Sequence, residues 1–225
     1  MPIGRSFTLD LMVTPEQRQR MYEHEQYLIR ERKIFMADFW NSCPVSNGCI
    51  AGGRPGGYFY IDWNGNISPC VFYPYAVDNI IKIYKEGGHI NTVLTSPYFE
   101  AIRKWQQEYS YNKPADQVGN QIVPCPIRDH HLTAYEIITK HQAQPIDSEA
   151  TAALKDKDYH QGLAAYGNKA AELTEDIWEK EYIGPEKKTG CRRNDKRQTK
   201  TGHSGRIKIK AEGDKGRQTA EIAVN

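Results

Sequence analysis

The residues of this 225-residue chain whose type and setting could do chemistry are its five cysteines, Cys43, Cys49, Cys70, Cys125 and Cys191. Their number is odd and their spacing uneven, and residues 1–11 lack a basic start followed by an apolar stretch. A secreted disulfide scaffold is therefore not expected, and the thiols are read as reduced. A reduced thiol is either a small buried hydrophobe or a soft metal ligand. Taken singly each cysteine fits the first reading, but the surroundings of three of them favour the second.

Cys49 lies near the start of residues 48–57, which hold five glycines and one proline in ten positions. Such a loop lets backbone approach a bound group closely and adopt positive φ angles. Pro69 precedes Cys70, and Pro124 and Pro126 flank Cys125, so the backbone at both thiols is stiffened before any ligand arrives. An iron-sulfur cluster takes thiolates brought together from loops and strand ends, with small residues alongside so that amide N–H groups reach its sulfurs. Zinc is the rival ion, yet structural zinc sites usually show close C-x2-C pairs, and the chain has none.

Several elements must position these thiols. Thr14, Pro15 and Glu16 give an N-cap, a proline at the first helical position and an acid in the first turn, predicting a helix to about residue 32 with a narrow apolar stripe of Met21, Tyr22, Leu28 and Ile29. Residues 34–40 form an apolar run suited to a buried parallel strand. Residues 58–63 and 66–72 flank Asn64-Gly65, which signals a hairpin with a two-residue type I′ turn carrying Cys70 on its returning arm. Tyr58, Tyr60 and Trp63 alternate on the outgoing arm and read as the buried face of a sheet, an aromatic substrate face being the alternative. Helices are predicted over 78–84, 95–109, 130–141 and 158–182, with a polar loop over 111–121.

At Cys49, Gly65 and Cys70 the sequence resembles the carboxy-terminal auxiliary region of radical S-adenosylmethionine (radical SAM) enzymes, the SPASM/twitch type, whose pattern opens C-x(9–15)-G-x4-C. Fifteen residues separate Cys49 from Gly65 and four separate Gly65 from Cys70, so the match falls at the upper spacing limit. The resemblance extends over about residues 1–182, through Phe35 to Trp40, Cys49-Ile50-Ala51-Gly52-Gly53-Arg54 and Pro69-Cys70-Val71-Phe72. It implies an α+β chain. Residues 1–42 would be the remnant of a radical SAM barrel of partial TIM type, with 1–5 a loop after a late strand, the Thr14 helix the next barrel helix and 34–40 the last strand. Residues 43–183 would be a small β-hairpin plus helices holding one auxiliary 4Fe-4S cluster; the composition of 184–225, rich in Lys, Arg, Gly and Thr and poor in apolar residues, makes it a basic disordered tail.

Two departures bound what the resemblance implies. The C-x3-C-x2-C motif that holds the catalytic cluster is absent, Cys43 and Cys49 having five residues between them, and so is the C-x2-C-x5-C-x3-C block of a full SPASM region. One cluster is expected, with Cys49, Cys70 and Cys125 as ligands and Cys43, in Asn41-Ser42-Cys43-Pro44, as the candidate fourth. His130, His131 and an open iron site are the alternatives. No catalytic residue is assigned, and S-adenosylmethionine enters only if the missing barrel is supplied. The expected partners are that barrel portion or a redox donor.

Other charged residues have plainer readings. Arg54 is expected to be solvated or paired at the surface, and Arg128, Asp129, His130 and His131 to cap and solvate a helix start. Residues 185–225 carry 12 Lys/Arg against 5 Asp/Glu and contain no aromatic residue, whereas the rest carries 18 against 23. The tail is read as solvated and Cys191 as a free thiol, with nucleic acid not expected as a partner. The alternative reading is a nonenzymatic zinc-binding module whose tail contacts RNA or DNA. No apolar run approaches the roughly 18 to 20 residues of a membrane span, and a cytoplasmic location without membrane contact is expected.

Overall fold

The computed structural model describes residues 7–36, 38, 43–114 and 117–184. Thr14 opens α1 (Pro15–Arg30) with a capping box: its side chain accepts from the Gln17 N–H, the Gln17 side chain accepts from the Thr14 N–H, and Pro15 sits at the first helical position. The buried face of α1 is Arg18, Tyr22 and Glu25; of the expected apolar stripe only Tyr22 is buried, Leu28 and Ile29 being half-buried and Met21 exposed. The cause lies in what α1 packs against. Its neighbour α7 (Lys157–Trp178) buries Leu163, Gly167, Ala170, Thr174 and Trp178, and beyond α7 the hydroxyls of Tyr22 and Tyr182 meet at 2.6 Å. Tyr22, Ile122, Trp178 and Ile183 form a core of their own.

Ile34, Phe35 and Met36 belong to no strand and are exposed, Phe35 to 91%. A parallel strand is buried by neighbouring strands and the helices over them, and among the described residues no strand lies beside this segment. Ala37, Phe39 and Trp40 of the expected strand, residues 1–5 and the tail from 185 onward lie outside the described residues.

Two small sheets replace any larger one. Strand β1 (Tyr60–Ile61) pairs antiparallel with β2 (Asn66–Ser68), Tyr60 opposite Ser68 and Ile61 opposite Ile67. Strand β3 (Tyr75–Ala76) pairs antiparallel with β5 (Gln144–Pro145), and β4 (Asp78–Asn79) adds to the far side of β2. The hairpin turn holds three residues, Trp63, Asn64 and Gly65, in place of the expected two. The Gly65 N–H donates to the Asp62 carbonyl at 3.0 Å, Gly65 has φ +85°, and Asn64 is not among the positive-φ residues. This is a type I turn closed by a left-handed glycine. Asp62 selects it, because Asp62 Oδ1 accepts from both the Asn64 and Asn66 N–H groups. Trp63 is thereby carried to the exposed tip instead of into a buried sheet face.

Four helices fall close to the expected ranges, α2 (Ile80–Lys85), α4 (Pro97–Tyr109), α5 (His131–Lys140) and α7, which passes into a π-helical turn over Glu179–Ile183, while α3 (Asn91–Leu94) and α6 (Ser148–Lys155) are additional to them. Among the described residues no helix is long and apolar enough to cross a membrane. The main core gathers Ile67 from β2, Tyr73, Tyr75, Tyr98, Phe99 and Ile102, Ile127, and Ala134 and Ile138 from α5, so the mixed α+β class is the observed one. Cys70 is part of this core, and Cys49 and Cys125 pack against it.

Candidate metal centre

Three separate pieces of backbone bring the thiols to one core. The turn at 43–48 closes through the Gly48 N–H, which donates to the Cys43 carbonyl at 2.9 Å, and delivers Cys49 directly after it. The loop then folds onto the arm that carries Cys70, the Gly52 N–H donating to the Pro69 carbonyl at 2.9 Å. Gly52 has φ +70°, and a Cβ there would lie 3.1 Å from Ile102 Cγ2, so the loop lies flat on α4 only because this residue is glycine. From α4, Arg103 donates to the Gly52 carbonyl at 2.9 Å and Gln106 to the Ala51 carbonyl at 2.9 Å.

Arg54 is not at the surface as expected. It is 5% exposed, its Nε donates to the Cys49 carbonyl at 2.7 Å and its Nη2 to the Ser46 carbonyl, and the guanidinium lies 4.2 Å from the centre of the Tyr111 ring. A planar fork that satisfies two carbonyls and stacks on an aromatic ring is a structural clip. It fixes the segment between Cys43 and Cys49.

Cys125 is held by buried charge. Its carbonyl accepts from the Asp129 N–H at 2.7 Å, and its own N–H donates to Asp129 Oδ2 at 3.2 Å. The Asp129 carboxylate is fully enclosed and accepts from Arg128 at 2.8 and 3.1 Å and from Arg18 of α1 at 2.7 and 3.2 Å. Burial alone would raise Asp129, but the two guanidiniums outweigh it and hold the carboxyl well below the usual range. Arg18 also donates to the Ile122 carbonyl at 2.8 Å. Arg128 and Asp129 are thus not a solvated helix cap; they are two members of a buried Arg-Asp-Arg triad, with Gly167 of α7 so close that a Cβ would lie 2.1 Å from the Asp129 carbonyl oxygen.

The neighbouring histidines are engaged elsewhere. His130 Nε2 donates to the Val123 carbonyl at 2.8 Å, with its ring against Trp105 and Tyr109. His131 uses both ring nitrogens, Nδ1 on the Ile127 carbonyl at 3.1 Å and Nε2 on His160 at 2.7 Å, which leaves it no nitrogen for iron. Burial pushes His131 down to about 4.

None of the four described cysteines forms a disulfide. Burial is the largest influence on every one of them, pushing Cys43 up to about 12, Cys70 up to about 11, and Cys49 and Cys125 above the ordinary thiol value. Their charges also reach one another: Cys49 raises Cys43, Cys70 and Cys125, and Cys70 raises Cys125. Opposing these are hydrogen bonds that favour the thiolates, from the Ala51 N–H and the Gln106 amide toward Cys49, and from Tyr58 and the Phe72 N–H to Cys70 Sγ at 3.0 and 3.3 Å. At neutral pH without metal the set is four neutral thiols, and loading it releases protons.

Among the described residues no three His, Cys, Asp or Glu side chains surround a point that would hold one metal ion. The soft thiol donors, the apolar wall and the N–H groups directed at sulfur are of the chemistry that an iron-sulfur cluster takes.

Residues 49–116 match the family model of SPASM, an iron-sulfur cluster-binding domain, consistent with a SPASM-type auxiliary region of a radical SAM protein. The matched stretch contains Cys49, Gly65 and Cys70 and contains neither Cys43 nor Cys125. No curated protein and no solved structure matches the chain.

Sequence reasoning missed Arg18, Gln106 and Tyr58 as members of the site. Gln106 had a readable signal, since it continues the buried stripe of Phe99 and Ile102 at helical spacing. Arg18 had none, lying in a helix covered with charge and 111 residues from its partner. Cys191 lies outside the described residues.

Proposed function

We propose that this chain holds one 4Fe-4S cluster through Cys49, Cys70 and Cys125, with Cys43 as the fourth ligand. It would serve as the electron-transfer or substrate-positioning auxiliary region of a radical SAM protein. The observation that carries the reading is the meeting of three thiols from a glycine-rich loop, a hairpin arm and a proline-bounded turn at one core, within reach of each other's charge. When bound, such a cluster supplies one-electron redox capacity. The chain's own residues hold the thiolates rigid, direct N–H and O–H groups at their sulfurs and keep water from one side of the site. No cleavage of S-adenosylmethionine is assigned to these residues, because the three-cysteine motif for it is absent from them. That chemistry would belong to a barrel supplied as partner. The exposed Ile34 and Phe35, and the open groove lined by Met21, Leu28 and Met36, support a surface that such a barrel would cover.

The test is anaerobic reconstitution with iron and sulfide, followed by visible absorption and EPR. Replacement of Cys49, Cys70 or Cys125 by serine should each abolish or degrade the cluster, and Cys191→Ser should leave it intact. Retention of a full cluster by the three serine variants would contradict the reading.

A further inference from the structure

We infer that the Tyr58 hydroxyl is a fixed hydrogen-bond donor to the Cys70 sulfur and raises the electron affinity of the centre that Cys70 holds. The inference rests on the proposed function and concerns how strongly the centre draws an electron. The hydroxyl oxygen lies 3.0 Å from Cys70 Sγ. A phenolic hydroxyl has one hydrogen to give, and at this distance the Tyr58 hydroxyl gives it to sulfur.

The residue is also built into place. The Tyr58 N–H donates to the Ile50 carbonyl and its carbonyl accepts from the Gly53 N–H, both at 2.9 Å. These two bonds clasp Tyr58 into the loop that carries Cys49, while its hydroxyl reaches 12 residues along the chain to the arm that carries Cys70. The half-buried ring packs against the main core, and the partner of its hydroxyl is the sulfur of a proposed ligand.

The physical consequence has a sign. Reduction adds one electron, and part of its charge resides on the ligand sulfurs. A hydrogen bond to such a sulfur is therefore stronger in the reduced state and favours it, and hydrogen bonds to sulfur are among the factors that set cluster potentials. The hydroxyl proton stays on the tyrosine oxygen throughout, so no proton transfer accompanies the electron. The Phe72 N–H, the second donor to Cys70 Sγ, is backbone and survives any side-chain change, which leaves Tyr58 as the adjustable contribution.

The experiment is an EPR-monitored redox titration of the reconstituted full chain as wild type, Tyr58→Phe and Tyr84→Phe, with iron content measured for each. Tyr84 is the control, since it is an exposed tyrosine of α2. Tyr58→Phe should load the same iron and show a more negative midpoint potential, with Tyr84→Phe at the wild-type value. An unchanged potential in Tyr58→Phe overturns the inference and leaves the cluster assignment standing, whereas a wild-type chain that takes up no cluster overturns both. Should Tyr58→Phe fail to fold or load, site-specific 3-fluorotyrosine at position 58 keeps the ring and strengthens the donor. It should shift the potential upward, and no shift overturns the inference.

Discussion

The two halves of the candidate centre are built by different physics. Cys49 and Cys70 are joined by backbone: the Gly52–Pro69 and Gly53–Tyr58 hydrogen bonds, a glycine at φ +70° and a hairpin shaped by Asp62. Cys125 is held by charge: a carboxylate with no exposed surface, bonded to two guanidiniums, one of them from a helix more than 100 residues away in sequence. The first half falls within the stretch that matches the SPASM family model, and Cys125 falls outside it. The contrast teaches that a site can be local and motif-like on one side while depending on the wider fold on the other.

The largest effect should come from breaking the charged half. Asp129→Ala leaves Arg18 and Arg128 buried without their counter-ion and should destabilise the chain by about 3–5 kcal/mol, read by chemical denaturation, with loss of iron binding at Cys125. Acid should attack the same half first. His131, buried and lowered to about 4 from an ordinary 6.5, contributes stability that is fully present above pH 6.5 and lost as the pH falls through about 4. The loss should approach about 3 kcal/mol in wild type. In His131→Leu the slope of stability against pH over that window should flatten.

A smaller effect is expected from the backbone half. Gly52→Ala forces a side chain into a left-handed backbone conformation and against Ile102, a cost of about 1–2 kcal/mol, and should degrade cluster assembly more than its stability loss would imply. Least of all, Thr14→Ala should remove the α1 cap at about 1 kcal/mol. Because α1 supplies Arg18, hydrogen exchange after that change should rise around Cys125 and not around Cys49. Equal rises at both would erase the distinction between the halves.

The same division governs what could be read from sequence. Thr14 as a cap, the helices over 97–109, 131–140 and 157–178, and the Cys49-Gly65-Cys70 spacing all rest on local patterns, and local patterns are visible in a chain read residue by residue. The Arg18–Asp129 pair has no such pattern, since nothing near either residue announces the other. Strands β3 and β5 are two residues each, too short for alternation to register, and α6 hides its apolar face in Ala150 and Ala153. At the hairpin, Asn64-Gly65 alone signals a two-residue turn, but the Asp62 carboxylate decides the turn type. The apolar character of residues 34–40 suggests a buried strand, but apolar residues are buried only where another surface meets them, and Ile34, Phe35 and Met36 are exposed.

Iron and acid-labile sulfide measured per chain after anaerobic purification of the full protein test the central claim most directly. The account predicts about four of each, held by cysteine thiolates. Stoichiometric zinc with neither iron nor sulfide would contradict it.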